Sequence, residues 1–520
     1  MKVYQMTGTE ILAALERGEL SSVEVVKSLH ERADAVEPKV NGFAHQFRQQ
    51  ALAEAERCDE ERARGQVRGP LHGLPISVKE NIDTQGLAST LGVEGRLVKV
   101  ADKDAVTVQL AKASGAIVLG KTNVPQALLS PMQCENPVFG ATHNPWALTH
   151  GPGGSSSGEG AVIASGSSVL GFGTDLGGSI RFPASYCGIV GFKPTSNRWS
   201  NQGATSALAG QELVKAQMGP MARSVDDIIL LMKALDSPKH WPLDPRVPPL
   251  PLGDPDAIDV SKLRIGYFDN DGFITPAASV LRAHTKALDI LSDLGAELVH
   301  MPPVHQREVV QLYVGGVSSD GMKTLRGLLQ DEKIVDANKV MWRAGHLPLR
   351  LRHAVGKMLP MLGQARMADL VSSIGEKDVA TFWSLVAKRS QFQRAAFDAW
   401  EKAGVDVVVC PGGVTPAVPD GMGHDFSMVF SYFGRYNLFG MPAGVVPMTT
   451  VQPHETTRQT LQDRIDKRAA AVEAQSLGLP VSVQVVGLPW NDAPVLATMK
   501  TLQRAARSRQ FYPLTPVQPA

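Results

Sequence analysis

Between Gly151 and Thr195 the chain reads GPGGSSSGEGAVIASGSSVLGFGTDLGGSIRFPASYCGIVGFKPT, and no other stretch constrains the fold so tightly. Ten of the residues from Gly151 to Ser179 are glycine. A flexible linker is also rich in Gly and Ser, but it would not carry AVIA, VLGFG and GIVGF. Apolar runs of that kind have to be buried. Glycines inside a buried segment mark backbone that passes close to something or takes conformations closed to other residues. Ser155 and Ser179 both sit beside Gly-Gly pairs, where a hydroxyl lies next to bare backbone N–H groups. That is the raw material of a nucleophile with an oxyanion hole.

The bulk properties exclude more than they assign. A chain of 520 residues buries a large core, and length alone allows roughly two to four domains. The net charge of +1 gives no reason to expect nucleic acid as a partner. Cys58, Cys134, Cys187 and Cys410 stand far apart without CxxC spacing, which argues against a zinc site and a disulfide framework and fits a reducing compartment. The N-terminus reads as a helix rather than a signal peptide, and no window approaches the length of a membrane span. A cytoplasmic protein is expected.

Along the chain, TGTEILAALERG and SSVEVVKSLHERADAV read as two amphipathic helices over residues 7–35. Thr7 with Glu10, and Ser21 with Glu24, match capping boxes. A further charged helix is expected over residues 46–65, and GLPISVKENID contains a short strand. Residues 105–119 read as helix, glycine turn and strand. Strands recur at residues 405–412, 443–448 and 479–487, residues 305–403 are helical in pattern, and HETTRQTLQDRIDKRAAAVEAQ reads as a polar helical insertion. This alternation predicts an α/β protein with a mostly parallel or mixed sheet. GAIVLGKT (115–122) matches the phosphate-loop pattern in form only. Its intervening residues are themselves the strand, and Pro125 turns the chain away from the helix that should follow.

An enzyme that attacks an amide needs a deprotonated nucleophile, donors for the oxyanion and an acid for the leaving nitrogen. Ser179 in GTDLGGSIR is the best nucleophile candidate, with its own N–H and those of Leu176, Gly177 and Gly178 available to one oxyanion. No histidine has a prepared context; His143 and His150 lie nearest in sequence, in loop-like surroundings. Lysine is the other choice of base, and burial lowers its pKa from about 10.4. Lys79, at the end of an apolar strand, fits, and strand alternation turns Glu80 to the opposite face. Ser155 is placed to relay the proton between Ser179 and Lys79. Ser156 and Ser157 are alternatives that spacing leaves open.

These residues resemble a known family. The whole serine-rich stretch is similar to the signature of the amidase signature family, and PISVKEN is similar to its lysine motif. GKTNVPQ, GPMARSVDD, FGMPAGVVP and LPVSVQVVG resemble further landmarks, so the resemblance spans residues 7 to 505 approximately. CENPVFGATHNPW, GEGA, RFPASYCGIVGFKPTSNR, LDPRVPPLPL and PAGVVPMTTV resemble its fatty acid amide hydrolase-like branch. The resemblance implies one α/β domain over residues 1–520, a mixed twisted sheet covered by helices on both faces, with 305–403 as a helical cap region. It implies a Ser-Ser-Lys triad of Lys79, a cis-peptide Ser155 and Ser179, an oxyanion loop of Leu176, Gly177 and Gly178, and a substrate cleft lined by Leu128, Leu129 and Ser130. No cofactor is needed for such chemistry, and a homodimer is the expected assembly.

The expected activity is hydrolysis of carboxylic amides with apolar, fatty or aryl acyl groups through an acyl-enzyme, with esters and carbamates also open to it. A glutaminase subunit of a tRNA-dependent amidotransferase and a non-catalytic membrane-associated relative are the competing readings. The chain starts at the family's first helix, without the N-terminal transmembrane helix of membrane-bound members, so integral anchoring is not expected. Residues 337–366 carry six Lys or Arg and no acid among many apolar residues. Such a segment suits peripheral docking at a membrane interface; a lid over the acyl pocket and a dimer surface are the other readings.

Overall fold

The computed structural model describes all residues except Met1, Leu347, Pro348, His424, Asp425 and Thr460. Apolar strands assemble into one sheet of 11, in the spatial order Phe43–Gln46, Ile117–Thr122, Pro75–Lys79, Leu170–Asp175, Gln217–Ala222, Val190–Lys193, Ala443–Thr450, Pro480–Gly487, Val407–Pro411, Arg264–Tyr267 and Glu297–His300. Pro75–Lys79 runs parallel to both its neighbours, while Leu170–Asp175 runs antiparallel to Gln217–Ala222, so the sheet is mixed as expected. The central strands are buried along their whole length, the pattern of a sheet covered on both faces.

The expected helices form with their caps. Thr7 and Ser21 each accept from the N–H three residues on, and Glu10 and Glu24 return the bond. The second helix runs on to Val40 through Pro38, further than the pattern predicts, and ends in left-handed Asn41. The Glu37 carboxylate takes the N–H groups of Gly42 and Phe43 beyond that end. The stretch 454–475 departs from expectation: only Arg464–Glu473 is a full helix, started by Asp463. Arg458 is instead drawn into a buried contact with Glu473, which holds the chain before the helix in an irregular path.

The phosphate-loop look-alike is a strand. Gly120, Lys121 and Thr122 all belong to Ile117–Thr122, and Lys121 is buried, its ammonium bonded to Ala88 O and Ser89 Oγ. Residues 306–403 are helical, with Gln306–Val317, Lys323–Leu328, Asp336–His346, Leu349–Met358, Ala365–Ser373 and the long Val379–Ala403. Under them lies a second, smaller apolar cluster of Leu91, Val93, Ala127, Met322, Leu325 and Leu329, separate from the main core.

Candidate active site

Lys79 ends an interior strand, so its side chain has nowhere to go but the core, and it is completely buried. Its Nζ lies 2.8 Å from Ser155 Oγ, 2.9 Å from Thr174 Oγ1 and 3.3 Å from Thr174 O. All three partners are uncharged. Burial pushes the Lys79 amine down to about 7, against the upward pull of Asp175, Glu159 and Glu80. Near neutral pH a large share of this lysine therefore carries a lone pair. Glu80, the residue after the strand, turns away and binds Thr90 and the N–H of Leu91.

The glycines around Ser155 are explained by crowding. A Cβ on Gly154 would stand 2.1 Å from Ser130 O, and one on Gly153, at φ +80°, 2.8 Å from Pro183 N. The Gly154–Ser155 peptide bond is cis. Ser156 sends its hydroxyl to Thr174 O, and Ser157 opens the helix Ser157–Ser165, so the hydroxyl that meets Lys79 is that of Ser155. The Ser156 N–H donates to Ser179 O at 3.0 Å, which ties the two serine loops together.

Ser179 is half-buried at the end of the turn that follows strand Leu170–Asp175. Asp175 organises that turn. Its carboxylate accepts from the N–H groups of Gly178 (2.7 Å) and Ile180 (3.1 Å) and holds Arg181 through two bonds of 2.9 Å. Asn437 and Gln484 complete the cluster by accepting from Arg181. Burial alone would raise the Asp175 carboxyl; the adjacent Arg181 guanidinium holds it far below the ordinary carboxylate range. This corrects one expectation about the loop. The Gly178 N–H is directed at Asp175, and among the described residues it is the N–H groups of Leu176, Gly177 and Ser179 that have no acceptor. Gly178 is required for another reason: its φ is +119°, and a Cβ there would meet the Phe182 ring at 2.7 Å. Gly177 faces the Tyr313 hydroxyl, 2.3 Å from where a Cβ would stand, and Tyr313 donates to Leu176 O.

Of the residues expected to line a cleft, Leu128 and Leu129 are half-buried against the smaller apolar cluster, with Trp342 and Ile374 beside it. Ala127 and Leu128 are both left-handed, at φ +55° and +60°, an uncommon conformation for such side chains. The Ser130 hydroxyl accepts from the N–H groups of Met132 and Gln133, and so closes a turn. His143 pairs with Asp420, and the His150 ring meets Thr149 Oγ1; neither is bonded to Lys79 or Ser155. Cys134 is buried close enough to feel Lys79, but burial pushes its thiol up to about 11, which leaves it protonated. The Asp175, Arg181, Asn437 and Gln484 cluster was not foreseen. Asp175 and Arg181 flank the GGS turn in sequence, but nothing local points to partners 262 and 303 residues away.

A mixed sheet that brings a buried lysine to a serine after a glycine pair, beside a loop with free N–H groups, is a setting suited to an amide-cleaving class of enzyme. The chain belongs to the amidase family: the family model described as Amidase matches residues 24–496. It is 35% identical over 502 residues to the fatty-acid amide hydrolase 1 of Sus scrofa, covering 95% of this chain and 85% of that protein. It is 30% identical over 506 residues to the fatty acid amide hydrolase 1 of Caenorhabditis elegans, covering 95% and 87%. A solved fatty acid amide hydrolase superposes with a TM-score of 0.83 at 28% identity, covering 96% of this chain and 85% of that one. The protein is thus an amide-hydrolysing enzyme of the amidase signature family.

Proposed function

We propose that the enzyme hydrolyses carboxylic amides with large apolar acyl groups through an acyl-enzyme on Ser179, with Lys79 as base and Ser155 as relay. The observation that carries this reading is the 2.8 Å contact between the fully buried Lys79 Nζ and Ser155 Oγ. Neutral Lys79 takes the Ser155 proton as Ser155 takes that of Ser179. Ser179 Oγ bonds to the carbonyl carbon, and the carbonyl oxygen becomes an oxyanion facing the N–H groups of Leu176, Gly177 and Ser179. The C–N bond then breaks while the proton returns from Lys79 through Ser155 to the leaving nitrogen. Water, deprotonated along the same path, releases the acid and restores Ser179.

The apolar acyl preference is supported by Leu128 and Leu129 lying on the smaller apolar cluster, and by the similarity to fatty acid amide hydrolases. A series of p-nitroanilides of increasing acyl length should show kcat/KM rising with chain length. A preference for the shortest acyl groups would contradict that part of the reading. For the chemistry itself, a fluorophosphonate should add to the protein and be visible by intact mass, and Ser179→Ala should abolish the adduct. An adduct that survives the substitution would overturn the nucleophile assignment.

Among the described residues no helix is long and apolar enough to cross a membrane. Peripheral contact through residues 337–366 is supported by exposed Leu351, Met358, Met361 and Leu362, of which Met361 is 86% accessible. Leu347 of that segment lies outside the described residues. Flotation with anionic liposomes tests this contact independently of catalysis.

A further inference from the structure

Beneath Lys79 lies a second buried ionisable group that the proposed mechanism leaves unused. Glu159, on the helix Ser157–Ser165, has no accessible surface. Its Oε2 accepts from Ser77 Oγ at 2.7 Å and its Oε1 from Thr122 Oγ1 at 2.9 Å. Ser77 lies two residues before Lys79 on the same strand, and Thr122 is the register partner of Lys79 on the next one. Ser77 and Lys79 therefore share a face, and the carboxyl hangs between two strands directly beside the base. The space is made on purpose by the third strand. A Cβ on Gly171, the register partner of Ser77, would stand 2.3 Å from Glu159 Oε2. Among the described residues no cation is bonded to this carboxyl; its partners are two neutral hydroxyls.

We propose that Glu159 is a positioning residue for Lys79, the buried counter-charge that sets how readily Lys79 gives up its proton. The inference rests on the proposed role of Lys79 as base. The electrostatics agree with the geometry. Burial pushes the Glu159 carboxyl up to about 7, against the pull of Ser77, Thr122 and Lys79, and Glu159 in turn raises Lys79. The other groups acting on Lys79 are Asp175 from strand Leu170–Asp175, Glu80 just past the end of its own strand, and Cys134. Asp175 is paired with the Arg181 guanidinium, and Glu80 accepts from the Thr90 hydroxyl and the N–H groups of Thr90 and Leu91 and faces the Lys121 cation. Lys121, on the neighbouring strand, faces Glu80 and Asp83 instead. Glu37, on the packed helix Ser22–Val40, is taken up by Gly42 and Phe43. Glu159 is the carboxyl in this group held by hydroxyls alone, on the strand of the base and on its register neighbour, with its charge felt by Lys79. When it is ionised, Lys79 holds its proton longer; when it is protonated or amidated, Lys79 becomes neutral at lower pH.

The test is the pH dependence of fluorophosphonate adduct formation at Ser179, followed by intact mass in the full-length protein. Glu159→Gln should move the midpoint of the rate to lower pH by roughly one unit. Thr122→Val keeps the volume, removes one donor to the carboxylate and should move the midpoint the same way by less; it also serves should Glu159→Gln fail to fold. An unchanged midpoint in both variants, with only a lower rate or melting temperature, would reduce Glu159 to packing and overturn the inference. Lys79→Ala is the control. If it labels like the wild type, the base assignment itself fails; if it does not label and the midpoints of the other two are unmoved, only the inference about Glu159 fails.

Discussion

Every residue of helix Ser157–Ser165 and of strand Leu170–Asp175 is buried, whereas Val379–Ala403, a helix of 25 residues, buries only Ala396 and Trp400. The first region packs glycines and apolar side chains around a few buried polar groups held by specific partners, Glu159 by Ser77 and Thr122 and Asp175 by Arg181. The second leaves large apolar side chains outside, with Trp383 71% accessible and Val379 67%. The contrast separates two uses of sequence. In the buried region a residue's chemistry is set by what surrounds it, so burial draws the Lys79 amine down to about 7 and Arg181 holds the Asp175 carboxyl far below its ordinary range. In the helical region composition matters more than position, because few side chains are held by specific partners.

Substitutions should therefore act very differently in the two regions. The largest effect belongs to Ser179→Ala and Lys79→Ala, each expected to lower kcat by a factor on the order of 10^4 or more. Circular dichroism should stay unchanged; an Ala variant with more than a tenth of wild-type activity would break the contrast. Next is Asp175→Asn, which leaves the buried Arg181 unpaired and should cost about 3–5 kcal/mol in urea unfolding. A loss near zero would mean the cluster is not what holds the turn. Gly177→Ala should then lower kcat by roughly ten- to a hundredfold, because the new methyl meets the Tyr313 hydroxyl and displaces an oxyanion donor. Adding Tyr313→Phe should restore part of the loss; strict additivity in this double-mutant cycle would count against that contact. The smallest effect is Met361→Asp, which should weaken liposome binding while leaving hydrolysis of a soluble anilide within about twofold. A large fall in that activity would make the segment a lid instead.

Much of the buried region was legible beforehand, because its constraints are local. Glycine spacing marks Ser155 and Ser179, and a lysine closing an apolar strand marks Lys79. The choice of Ser155 over Ser156 and Ser157 was not legible, since adjacent serines differ only in where the chain turns them. The Asp175 cluster stayed hidden because Asn437 and Gln484 reach it across the sheet from distant sequence. The same cluster redirects the Gly178 N–H, which no local pattern records. In residues 454–475 helical propensity was overruled by the docking of Arg458 on Glu473. In the apolar helices periodicity is present, but it does not say whether a membrane, a second copy or substrate covers the exposed face.

The central claim is that a neutral, buried lysine draws the proton from Ser179 through Ser155, and the rate of Ser179 acylation by a fluorophosphonate as a function of pH tests it most directly. The account predicts a single rise with a midpoint near 7, following the depressed Lys79 amine, and loss of that rise in Lys79→Ala. A flat profile, or a rise that persists without Lys79, would contradict it.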